Sequence, residues 1–173
     1  MDQLDALSLA VQREKEARRF YGDAAKKATN EASKNMFSWL ASEEEGHIKI
    51  LEKQFDRVKG EGKWLTEEGW CSYGDISHPI ECTEFPSLSE AKYSIDENAP
   101  ELEILKKAIE DEKEAVTYYA DLAKNTTDPN GKEMLQKLSK VEQGHLDLLE
   151  EEHDWISKSK AMFTIHRFSL PAR

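Results

Sequence analysis

Cysteine is scarce in this 173-residue chain: Cys71 and Cys82 are the two present, separated by ten residues. That spacing fits neither a zinc ribbon nor a paired Cys-x-x-Cys redox site, so two ordinary thiols are the simpler reading. Positive charge is in deficit, with a formal net charge of -11. Such a field repels phosphate backbones and anionic lipid surfaces, which argues against nucleic acid and membrane as partners and favours metal cations or basic proteins. Long apolar runs are missing too, and Met1-Asp2-Gln3-Leu4-Asp5 has no basic segment leading into an apolar one. A cytoplasmic protein is the expectation. Turn-forming residues are few and unevenly spread: residues 59–98 hold four of the eight glycines and two of the five prolines.

What remains is rich in charge, at 34% of residues, as suits amphipathic helices with solvated outer faces. The length allows one sizeable core. An internal repeat organises it at an offset of 98 residues. Ala10-Val11-Gln12-Arg13-Glu14-Lys15-Glu16-Ala17 through Tyr21 lies over Ala108-Ile109-Glu110-Asp111-Glu112-Lys113-Glu114-Ala115 through Tyr119. Without a gap, Met36, Leu40, Glu44, Gly46, His47 and Leu51 fall on Met134, Leu138, Glu142, Gly144, His145 and Leu149.

Apolar residues recur every three or four positions in each half, which predicts helices near 3–28, 31–58, 99–125 and 129–156. Asn30 is placed to cap the second, Asn98 with Glu101 to form a capping box on the third, and Asp128-Pro129 to start the fourth. Short turns make each pair an antiparallel hairpin. The connector 59–98 is long enough to run the length of a bundle, so helices two and three can lie parallel. Within it Leu88 to Tyr93 has the makings of a short helix. The domain expected is therefore 1–156, an all-α four-helix bundle of two repeated hairpins, with 157–173 as an extended arm ending near Pro171.

Polar residues interrupt the core stripes at matched places. The stripe of helix one passes through 7, 11, 14, 18, 21 and 25, so Glu14 stands where a leucine is expected. Glu44 and His47, three apart and on one face, interrupt the run Met36, Leu40, Leu51, Phe55. Glu112, then Glu142 with His145, repeat the intrusion in the second half. Four carboxylates facing a core demand cations, because unpaired buried charge is too costly to keep. An acidic run such as Glu43-Glu44-Glu45 is ordinarily a solvated face, and a lone core histidine is ordinarily a packing residue; the duplication is what reverses both readings. His78, His153 and His166 have no such counterparts, and Trp39, Trp64, Trp70 and Trp155 read as packing residues. Gly46 and Gly144 sit inside helices, where close helix approach is one reason to keep them.

The set Glu, Glu-x-x-His, Glu, Glu-x-x-His is the known signature of di-iron and di-manganese carboxylate bundles. Through Glu14-x-x-Ala17-x-x-x-Tyr21, Glu44-x-x-His47, Glu112-x-x-Ala115-x-x-x-Tyr119 and Glu142-x-x-His145 the chain resembles the ferritin-like superfamily, and within it rubrerythrin-like proteins that lack a rubredoxin domain. The resemblance covers residues 5–156 apart from the connector. It implies two iron ions, with manganese or zinc as substitutes, bridged by Glu44 and Glu142 and completed by Glu14 with His47 and Glu112 with His145. Tyr21 and Tyr119 either fill the core or hydrogen-bond ligand carboxylates.

The activity implied is reduction of hydrogen peroxide or oxygen by a ferrous pair. Alternatives are a ferroxidase or iron-binding and storage protein, and a relative whose metals only hold the bundle together. Ala115 departs from the many rubrerythrins that carry a further carboxylate there, which makes the ligand set symmetric and closer to that of bacterioferritin. No Cys-x-x-Cys pair follows helix four, so the resemblance implies a separate electron donor such as rubredoxin or a flavoprotein reductase. It also implies a homodimer, in which the long connector permits exchange of helix pairs.

Overall fold

The computed structural model describes residues 2–71 and 101–168, with side chains for 2–70 and 101–159. Five helices follow in order: α1 (Gln3–Lys27), α2 (Glu31–Glu61), α3 (Glu67–Cys71), α4 (Glu101–Asn125) and α5 (Pro129–Phe168). The caps foreseen at two starts are made. Asn30 accepts from the Ala32 amide at 2.9 Å, and Asp128 accepts from Asn130 and Gly131 at 2.9 and 3.2 Å, each satisfying amides that the first turn leaves open. Gly62 closes α2 with a φ of 65°, a left-handed conformation that glycine adopts without a Cβ penalty. The box expected of Asn98 and the short helix at Leu88 to Tyr93 lie outside the described residues, as does any pairing of Cys71 with Cys82.

The two hairpins pack so that α1 runs against α4 in opposite directions: Tyr21 meets Glu112, Tyr119 meets Glu14, and Tyr118 donates to the carbonyl of Ala6 at 2.8 Å. Likewise α2 opposes α5, since Ser33 meets Glu152 while Glu44 and His47 meet Glu142 and His145. With each hairpin antiparallel, α2 and α4 point the same way, which is the crossover arrangement that the long connector allows.

The repeat becomes an approximate two-fold axis. Leu7 and Leu105, Ala10 and Ala108, Met36 and Met134, Leu40 and Leu138, Leu51 and Leu149 are all buried. They divide into two apolar clusters, one around Leu7, Ile50, Leu51, Met134 and Leu138, the other around Met36, Phe37, Leu40, Leu105 and Leu149. The polar centre lies between them. Burial of this kind is worth roughly 25 cal/mol per Å² of apolar surface, and it holds four helices whose outer faces carry mostly exposed ion pairs of little individual weight.

Several expectations need correction. Residues 157–168 form no extended arm: α5 continues to Phe168, since nothing between Gly144 and Pro171 breaks a helix and Lys158, Lys160, Ala161 and Met162 favour one. The connector begins with α3, whose Trp70 is fully buried beside a buried Trp64. The core line of α1 runs through Leu7, Ala10, Glu14, Tyr21, Ala24 and Ala25, whereas Arg18 is exposed and pairs with Glu45. Gly46 does not serve close helix approach, because a Cβ there would meet nothing within 4 Å.

Candidate metal centre

Glu14, Glu44, His47, Glu112, Glu142 and His145, one or two from each long helix, converge midway along the bundle, and none exposes more than 3% of its surface. Both imidazoles turn Nδ1 inward. Nδ1 of His47 lies 3.2 Å from Glu14 Oε2, 3.1 Å from Glu44 Oε2 and 3.2 Å from Glu142 Oε1. Nδ1 of His145 lies 3.0 Å from Glu142 Oε2, 3.5 Å from Glu44 Oε1 and 3.7 Å from Glu112 Oε1. Glu44 and Glu142 thus divide their two oxygens between the histidines, while Glu14 serves one and Glu112 the other. The two rings face each other at 5.6 Å between centroids.

Two groups of four ligand atoms result, Glu14, Glu44, His47, Glu142 and Glu44, Glu112, Glu142, His145, each drawn within 4.8 Å. One imidazole proton satisfies at most one of the three oxygens around it, whereas a cation satisfies all three. The donor set of carboxylates and imidazole suits iron, manganese or zinc.

Each outer carboxylate has a tyrosine behind it from the partner helix. Tyr21 of α1 donates to Glu112 of α4, and Tyr119 of α4 donates to Glu14 of α1. Burial and the surrounding carboxylates push both phenols well above their ordinary value, so they remain donors. Among the metal-free ligands, burial first and then Glu14 and Glu142 push the Glu44 carboxyl up, and burial with the Glu142 charge lifts Glu112 to about 7. Burial opposes charge on both histidines, but the adjacent carboxylates outweigh it and raise them. Glu142, between the two imidazoles, is held well below the usual carboxylate range despite its burial.

A cavity of about 330 Å³ opens onto the four carboxylates between α1 and α4. Ala17, Ala115, Phe20 and Tyr21 line it, and Arg13, paired with Glu114 at 3.4 Å, stands at its side. The repeat shows Ala17 and Ala115 as counterparts, but the opening itself depends on how α1 and α4 meet and has no signal in the spacing. Arg13 was also missed; the one hint is that its counterpart is Asp111, of opposite charge.

The rubrerythrin family model matches residues 5–153. This chain belongs to the rubrerythrin family. Its buried carboxylate and histidine cluster is compatible with the di-iron site typical of that family. A solved structure, "Hypothetical Protein Pfu-1136390-001" from Pyrococcus furiosus, superposes with a TM-score of 0.68 at 22% identity, covering 91% of this rubrerythrin-family chain and 92% of its own. At that identity the likeness is one of fold, and the fold is the all-α ferritin-like bundle. No curated protein matches the chain. Among the described residues no helix is long and apolar enough to cross a membrane.

Proposed function

We propose that the chain is a di-iron oxidoreductase of rubrerythrin type that reduces hydrogen peroxide, or oxygen, with electrons from a separate donor protein such as rubredoxin or a flavoprotein reductase. The observation that carries this reading is the division of Glu44 and Glu142 between His47 and His145, beside a cavity that reaches all four carboxylates. Glu44 and Glu142, each facing both histidines, would help to hold both ions, while Glu14 with His47 would hold one and Glu112 with His145 the other. Four carboxylates balance two divalent ions, so the ferrous state is neutral within the site. Two iron ions would supply the two electrons that convert peroxide, with two protons, to two molecules of water.

The protein's own part is positional. Tyr21 and Tyr119 keep Glu112 and Glu14 in one rotamer by donating to them across the α1–α4 contact. The apolar clusters above and below shield the centre, and the cavity of about 330 Å³ that Ala17 and Ala115 help to line has room for a molecule of peroxide size. Dimerisation, with or without exchange of helix pairs, belongs to the same reading.

A ferroxidase role is the second reading, favoured by the symmetry of the six ligands and by alanine at both Ala17 and Ala115, which offer no seventh ligand. One experiment separates the two: anaerobic loading with two ferrous ions per chain, then rapid mixing with peroxide or with oxygen while ferric absorption is followed. Fast oxidation that prefers peroxide and repeats after re-reduction supports the oxidoreductase. Slow oxygen-driven oxidation with iron release or mineral growth supports the ferroxidase, and no redox change sinks both.

A further inference from the structure

Two buried carboxylates lie apart from the central cluster, at the end of the bundle where α1 turns into α2. Glu101 and Glu152 expose 6% and 1% of their surfaces. Ser33 donates to Glu152 Oε1 at 2.6 Å, and Thr29 lies 3.5 Å from Glu101 Oε2. The remaining oxygens, Glu101 Oε1 and Glu152 Oε2, are buried without a hydrogen-bond partner, and no described cation pairs with either residue. Burial raises the Glu152 carboxyl, and the charge of Glu101 raises it further against the relief given by Ser33. Along α5, Glu152 lies seven positions beyond His145, about 10 Å at 1.5 Å per residue.

The opposite end of the bundle shows how the equivalent positions are used. Across the repeat, Gln3 and Gln54 correspond to Glu101 and Glu152, and Gly131 to Ser33. Gln54 Oε1 accepts from the Leu65 amide at 3.1 Å, and Gln3 Oε1 accepts from the Trp64 indole at 3.4 Å. The Trp64 ring lies against Gly131, where a side chain would collide with it. Neutral amides thus hold a plug of neutral N–H donors. At the other end both amides are replaced by carboxylates, and a hydroxyl stands where the glycine made room for the indole. Neutral donors would leave two buried charges uncompensated; a divalent cation would not.

We propose that Glu101, Glu152, Ser33 and Thr29 form a third cation site, separate from the six-residue centre and selective for a hard, oxygen-preferring divalent ion. Two carboxylates and two hydroxyls, with no nitrogen or sulfur, are the donors that calcium, magnesium or manganese accept and that softer ions pass over. The test uses full-length protein whose central site is first filled with two zinc ions per chain, then titrated with calcium and separately with manganese by calorimetry. One further equivalent of either ion is expected, with a rise in unfolding temperature. The double variant Glu101→Gln with Glu152→Gln, which copies the residues of the opposite end, is expected to lose that equivalent and keep both zinc ions. The proposal is overturned by zinc-loaded protein that takes up neither ion, which would make the two carboxyls a proton-sharing pair. Uptake that persists in the double variant overturns it equally.

Discussion

Tyr119 of α4 donates its hydroxyl proton to Glu14 of α1, and Tyr21 returns the same bond to Glu112 in the opposite sense. Each hairpin therefore steadies the outer carboxylate of the other, so the centre depends on the two halves being docked and not only on each being folded. Tyr119→Phe removes one donor without opening a cavity. Two metals should still bind, but the affinity of the position served by Glu14 and His47 should fall roughly tenfold, as for other lost ligand partners. Tyr21→Phe should weaken the other position instead. Competition titration against a chelator reads both, and equal, unchanged affinities would show that the phenols merely fill space.

Removing a carboxylate should have unequal consequences. Glu112 approaches His145 alone, whereas Glu44 gives one oxygen to each histidine. Glu112→Ala should lower the stoichiometry from two metals to one; Glu44→Ala should weaken both positions together. Elemental analysis after loading and desalting distinguishes them, and identical stoichiometries in the two variants would sink the bridging assignment.

The contrast between what the sequence discloses and what it hides follows from what repeats. Glu14 and Glu112 are legible because each breaks a stripe at the same place 98 residues apart, which chance seldom does to a core position. The same logic supplied both Glu-x-x-His pairs, while the caps at Asn30 and Asp128 were legible from the residue types that start helices. Neither α3 nor the partner of Trp64 was legible, since the contact of the Trp64 ring with Gly131 joins an aperiodic segment to a helix far along the chain. Glu101 and Glu152 were missed for the opposite reason. Each is one carboxylate among many in an acidic chain, and only packing shows that these two are buried.

Stability should respond to pH far more steeply without metal than with it. In the metal-free protein Glu44, Glu112, His47 and His145 all hold protons more tightly than when unfolded. Each contributes stability that is complete below its unfolded pKa and lost as pH rises through its folded one; for Glu112 that window runs from 4.5 to about 7. Glu142, held low, contributes above its unfolded value and loses that only in acid. The midpoint of thermal unfolding after chelation should therefore fall between pH 6 and 9, on the order of 5 °C or more. The metal-loaded protein should lose far less, because the ions replace those protons. A chelated midpoint that rises over this interval would contradict the electrostatics of the centre.

Glycines at two helical positions should give opposite signs. A Cβ at Gly131 would lie 2.4 to 2.8 Å from the Trp64 ring, so Gly131→Ala must displace a buried indole. A loss of about 1–3 kcal/mol is expected, with altered tryptophan fluorescence and unchanged metal stoichiometry. At Gly46 nothing lies within 4 Å of the added carbon, and alanine should stabilise α2 by roughly 0.5–1 kcal/mol. Urea unfolding of both variants tests the pair. A stabilised Gly131→Ala would mean that Trp64 does not pack on the start of α5.

The approach to the metals can be closed without touching a ligand. Ala115 faces Ala17 across the cavity between α1 and α4 and bonds to none of the six central side chains, so a leucine there narrows the passage by three carbon atoms and leaves the donors in place. If peroxide enters by this gap, Ala115→Leu should bind two metals with near-normal affinity yet oxidise at least tenfold more slowly on mixing with peroxide. Oxidation by outer-sphere electron acceptors too large for the cavity should be unaffected, since they never used it. That second measurement separates a blocked path from a damaged centre: both rates would fall if the leucine had displaced Glu112, one turn earlier on α4, and neither would fall if the oxidant arrived by another face of the bundle.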